Sequence, residues 1–81
     1  MKKPSFNSRS TIARLGWLAS KFRKDGQVDG THKVALEWEC SYKTINRDID
    51  ALRDFFGFPI TYDPNQYKWR ITGQIPEARI L

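Results

Sequence analysis

The sequence predicts a small α+β domain in which three helices precede a two-stranded β-hairpin. Three observations predict it. Residues 41–58, SYKTINRDIDALRDFFGF, carry apolar side chains at helical spacing between a clear start and a clear stop. Two upstream segments, from about Ser8–Ser10 to Lys24 and from His32 to Glu39, show the same period on either side of a glycine-bearing connection. Beyond Pro59 the period falls from helical to two, around the turn Asp63-Pro64-Asn65-Gln66. Residues 1–8 then read as a basic arm, 9–72 as the folded domain, and 73–81 as a tail or linker that loses the pattern.

In the first helix, Ile12, Leu15, Leu18, Ala19 and Phe22 share a face and Gly26 closes the element. Trp17 lies roughly 140–160° from the centre of that stripe at about 100° per residue, so an exposed indole is expected there. The arm, the tail or a second copy of the chain can cover it, which makes Trp17 a candidate homodimer contact. Asp25 to Gly30 is a turn-rich connection that Val28 can anchor, and Thr31 is the expected N-cap of the second helix. His32, the one histidine, is expected to be solvated in the first turn.

Ser41 is the expected N-cap of the third helix, with Ile45, Ile49, Leu52 and Phe56 forming its buried face. Gly57 supplies the positive φ for the exit and Pro59 blocks continuation. Lys43, Arg47, Asp50 and Asp54 stand on the other face with Tyr42, Thr44 and Asn46, the cations first and the acids later. Asp48 borders the apolar face and is read as a fold residue bonded to a turn amide or a neighbouring arginine. In the hairpin, Tyr67, Trp69 and Ile71 are expected on the packed face and Lys68, Arg70 and Thr72 on the wet one.

Ala35 stands ten residues before Ile45 across a short turn through Glu39, Cys40 and Ser41. A small residue in one helix and a buried aliphatic in the next are what a tight helix-turn-helix crossing requires. The run VALEWECSYKTINRDIDALRDFFGFPITYD followed by YKWRI resembles the DeoR-like winged helix-turn-helix at the N-terminus of WYL-domain transcription regulators. The matching residues are Ser41, Thr44, Ile45, Arg47, Asp48 and Leu52, then Gly57, Pro59, Ile60, Tyr62 and Asp63. The resemblance spans roughly the whole chain, is dense only from Val34 to Ile71, and implies a short extended piece in the connection between the first helix and the helix-turn-helix. Two positions depart from the pattern: Glu39 stands where the turn usually carries glycine, and Gln66 where glycine usually precedes the wing tyrosine.

The 81 residues make one domain with a thin core, to which eleven aromatics contribute. A single cysteine excludes an internal disulfide and fits a reducing compartment. Cys40 reads as a small apolar turn residue, with a thiol of lowered pKa near the helix start as the alternative. No apolar run approaches a membrane span and the N-terminus lacks a secretion-signal plan, so the expected location is cytoplasmic. The net charge of +5 is uneven: residues 1–24 carry +7 with no acid, and the remainder −2. On charge alone the partner could be DNA, RNA or a membrane surface.

No carboxylate pair in a cleft, nucleophile with a base, phosphate loop or metal-ligand cluster is visible, so neither an enzyme nor a metal or cofactor is expected. The resemblance implies sequence-specific binding of double-stranded DNA. The third helix, 41–57, would enter the major groove with Lys43, Asn46 and Arg47 at base edges, while Ser41, Tyr42 and Thr44 hold phosphates. Asn65, Gln66, Lys68 and Arg70 of a wing over 60–72 would touch the backbone or minor groove. Two other readings stay open, a winged helix that binds protein and a non-specific basic nucleic-acid binder.

Overall fold

The computed structural model describes residues 8–76; the arm and the end of the tail otherwise lie outside the described residues. The order is α1 (Ser8–Asp25), β1 (Gln27–Asp29), α2 (Thr31–Trp38), α3 (Tyr42–Asp54), β2 (Ile60–Asp63) and β3 (Lys68–Ile71). Three helices pack on an antiparallel sheet of order β1-β3-β2, an arrangement compatible with a winged-helix-like fold. The sheet has three strands, where a two-stranded hairpin was expected.

The extra strand has a plain cause. A two-stranded ribbon is marginal in water and leaves a row of unpaired backbone groups along its edge. Gly26, at φ 73°, turns the chain out of α1 and lays Gln27–Asp29 along the free edge of β3. Val28 is then opposite Trp69 and buried, and the Ile71 N–H donates to the Gly26 carbonyl at 3.0 Å.

The core comprises Leu18, Ala19 and Phe22 of α1, Val34, Ala35 and Trp38 of α2, Ile45, Ile49 and Leu52 of α3, and Val28, Phe58 and Ile60. α1 is rolled relative to the expected stripe. Ile12 is 66% exposed, and Arg14, one turn before Leu18, is turned inward and only 5% exposed. Its guanidinium meets the Asp48 carboxylate, itself 4% exposed, through Nε to one oxygen and Nη2 to the other at 3.4 Å. The expected fold role of Asp48 is thus met by an arginine from another helix. A buried pair of this kind gives little net stability but strongly penalises loss of either partner, so it fixes how α1 sits on α3.

The same roll corrects the expectation for Trp17. Its indole is half-buried and stands edge-on to Trp38, ring centroids 5.8 Å apart at 65°. One side of the ring is thus covered by α2 from within the chain. Two boundaries also move. Gly30, not Thr31, caps α2, its carbonyl accepting from the Val34 N–H at 3.1 Å. α3 stops at Asp54, short of the expected residue 57. Gly57 at φ 72° reverses the chain, the Phe58 N–H closes onto the Leu52 carbonyl at 3.0 Å, and Phe58 enters the core beside Phe22. Ile75, in the expected tail, packs on the core as well. No helix among the described residues is long and apolar enough to cross a membrane.

Candidate nucleic-acid interface

α2 and α3 are joined by the tight turn Glu39-Cys40-Ser41. Glu39 takes the left-handed conformation, φ 54° and ψ 48°, which glycine adopts most easily. The turn therefore keeps its geometry without glycine. The Glu39 N–H reaches the Leu36 carbonyl at 3.2 Å and the Cys40 N–H the Ala35 carbonyl at 3.0 Å, so two of the orphan carbonyls of α2 are satisfied. Burial pushes the Cys40 thiol above its ordinary value; Arg14 opposes the shift and Asp48 adds to it. The alternative of an activated thiol is thereby disfavoured, because the thiolate is the reactive form.

Ser41 caps α3 as expected, accepting from the Thr44 N–H at 3.2 Å, and the two hydroxyls lie 3.1 Å apart. Ile45, Ile49 and Leu52 are fully buried, which presses one flank of α3 against α1 and α2 and leaves the other to solvent. On the free flank Ser41, Tyr42, Lys43, Asn46 and Arg47 are exposed and Thr44 is half-buried. The Tyr42 ring lies 4.9 Å from that of His32, which is exposed as expected. Among the described residues neither Lys43 nor Arg47 forms an ion pair. The acids come afterwards, and Asp50 is taken by Arg53 at 2.9 Å.

That order of charge opposes the helix's own preference. The N-terminal end of a helix favours anions, yet the first turn of α3 holds no acid and carries Lys43, followed at i+4 by the like-charged Arg47. The first two turns thus combine the positive end of the helix dipole and, among the described residues, cations without an ion-pair partner on one exposed surface.

The hairpin differs. Asn65 and Gln66 are exposed, but their backbone N–H groups already donate to one oxygen of Asp63, at 3.0 and 3.4 Å. The other Asp63 oxygen holds Arg70 at 3.0 Å. Lys68 stands in register between Asp29 and Asp63. The outer sheet face is therefore close to neutral. Tyr67, expected on the packed strand face, instead sits in the turn at φ 56°, 72% exposed. Trp69 does face inward, its ring against Tyr62 at 5.0 Å.

One arrangement has no signal in the sequence. The Trp69 Nε1–H donates to the Thr31 hydroxyl at 3.2 Å, and that hydroxyl donates to Asn46 Oδ1 at 3.0 Å. Three residues from β3, α2 and α3, far apart in the chain, meet at the edge of the exposed flank.

Comparison of the chain with protein-family models, with curated proteins and with solved structures gave no match in any of the three.

Proposed function

We propose that this chain is a sequence-specific double-stranded DNA-binding domain of winged helix-turn-helix type, serving in a cytoplasmic transcription regulator like those whose DeoR-like domain it resembles. α2 and α3 form the helix-turn-helix, and β2 with β3 the wing. The observation that carries this reading is the reversed charge of α3. Lys43 lies in the first turn, where a cation is least favourable, and the like-charged Arg47 follows one turn on; both are exposed and without an ion-pair partner among the described residues. Residues that break a local rule without a compensating contact mark function more often than fold. Here a phosphodiester backbone supplies the missing counter-charge.

In this mechanism the first two turns of α3 enter the major groove. Arg47 and Asn46 reach base edges, with Lys43 near them, while Ser41, Tyr42 and Thr44 and the free N–H groups of the helix start meet phosphates. The buried flank holds the helix to its neighbours so that little ordering remains to be done on binding. The near-neutral wing adds position more than affinity. Two copies on half-sites about one duplex turn, ~34 Å, apart would give a palindromic operator. The domain acts by binding and performs no catalysis.

Selection of bound duplexes from a random pool at fixed salt tests the proposal. A defined motif is expected. Enrichment without sequence preference would reduce the domain to a basic nucleic-acid binder, and no enrichment would remove DNA as the partner.

A further inference from the structure

We infer that Thr31 and Trp69 are positioning residues that lock the side-chain amide of Asn46 in one orientation, and that Asn46 so held reads an adenine. The inference rests on the reading of α3 as a major-groove helix and adds to it which residue selects which base.

The chemistry of the three groups fixes the direction of the chain. An indole N–H is a donor only, so at 3.2 Å it must place its proton on the Thr31 oxygen. A hydroxyl that accepts is polarised to donate more strongly, and the Thr31 proton goes to Asn46 Oδ1 at 3.0 Å. An isolated exposed asparagine can turn its amide over and present oxygen or nitrogen on either side. Here the oxygen is held on the side of α2 and the wing.

Asn46 is exposed, and among the described residues its Nδ2 has no hydrogen-bond partner. One lone pair on Oδ1 and both Nδ2 hydrogens are left for a ligand. The adenine edge offers N7 as acceptor and N6 as donor side by side and satisfies both groups at once. Guanine would set its O6 acceptor against Oδ1, and cytosine offers only a donor. On a free protein the chain is open to water on one side; docking on a duplex removes that water and strengthens each bond in it.

The relay also explains why Thr31 is not the cap of α2. Gly30 takes that place, and the threonine hydroxyl is left for the bond to Asn46.

The test runs the random-pool selection with the parent protein, Asn46→Ala, Thr31→Val and Thr31→Ser, alongside the indole ¹H–¹⁵N resonance of Trp69 without DNA. The parent motif is expected to hold one A·T position that flattens in Asn46→Ala, with the preference for adenine falling about 5- to 100-fold. Thr31→Val, which keeps shape and loses the hydroxyl, should flatten the same position several-fold and move the Trp69 indole resonance. Thr31→Ser, which restores the hydroxyl, should recover both. An unchanged motif in Asn46→Ala overturns the inference while DNA binding stands. A flattened position that is guanine overturns the adenine assignment, and an indole resonance or motif indifferent to Thr31→Val overturns the positioning role. Failure of the parent to enrich any sequence overturns the proposed function and this inference with it, whereas the resonance still reports the relay.

Discussion

The free flank of α3 and the outer face of the sheet carry the same positive groups, two cations each, and behave differently. Lys68 and Arg70 stand on a strand surface that interleaves them with Asp29 and Asp63, and Arg70 is bound at 3.0 Å. Lys43 and Arg47 stand on a helix whose exposed acids, Asp50 and Asp54, come further along and whose Asp48 is buried against Arg14. Strand pairing brings opposite charges from distant chain positions side by side, whereas a helix face is populated only from its own sequence. A count of bases along the chain sees no difference between them. What separates the two surfaces is whether the fold delivers a counter-charge.

The contrast can be broken at its foundation first. α3 keeps its free flank presented because its other side is bolted to α1, so Asp48→Ala, which strands Arg14 in the interior, should cost about 3–5 kcal/mol in urea unfolding. Replacing both partners, Arg14→Met with Asp48→Leu, should leave stability near the parent's. A loss below about 1 kcal/mol in the single variant would mean the pair is not buried in solution.

Next comes the flank itself. Arg47→Ala is expected to weaken binding to the selected duplex by about 1–3 kcal/mol and to relax discrimination at one position. Unchanged affinity and preference at fixed salt would erase the distinction from the α3 side.

The sheet offers a gain-of-function counterpart. Asp63→Asn retains an oxygen for the Asn65 and Gln66 amides and removes the charge that neutralises Arg70. It should tighten binding to all duplexes alike and steepen the salt dependence by about one phosphate contact, with Lys68→Ala giving the opposite, equally unselective change. Sequence-dependent effects from either variant would show that the wing reads bases.

The smallest effect is on stability. Lys43→Glu puts an acid where the dipole of α3 favours one and relieves the repulsion with Arg47, so the fold should gain about 0.3–1 kcal/mol in thermal denaturation while DNA binding weakens. A destabilised variant would mean that Lys43 is not set against its helix.

Local rules made much of this legible. The Ser41 cap, the buried row Ile45, Ile49 and Leu52, the Gly57 exit and the exposed cations all depend on spacing within one element, and the sequence displays spacing. What it hid depends on partners elsewhere in the chain. Three residues, Gln27–Asp29, are too short for an alternation to show, and they become a strand only because β3 has an edge to fill. Arg14 reads as a surface residue until Asp48 is placed opposite it, and inverting that choice rolls α1 far enough to expose Ile12 and cover Trp17. Thr31 reads as a cap because threonine is a good one; its bond to Asn46 is visible only once α2 and α3 cross. Tyr67 follows the period of β3, but the turn ahead of it extends one residue further than the pattern suggests.

At Gly30 the space for a side chain is already occupied: a β-carbon there would stand 2.8 Å from the Tyr67 carbonyl oxygen. The hairpin tip and the start of α2 are therefore in contact backbone to backbone, with nothing compressible between them. The domain works as a caliper whose two jaws, helix and loop, are set at a fixed opening by a single absent methyl. Even alanine at this point would prise the jaws apart and shift the tip that leads into Trp69, whose indole donates to Thr31.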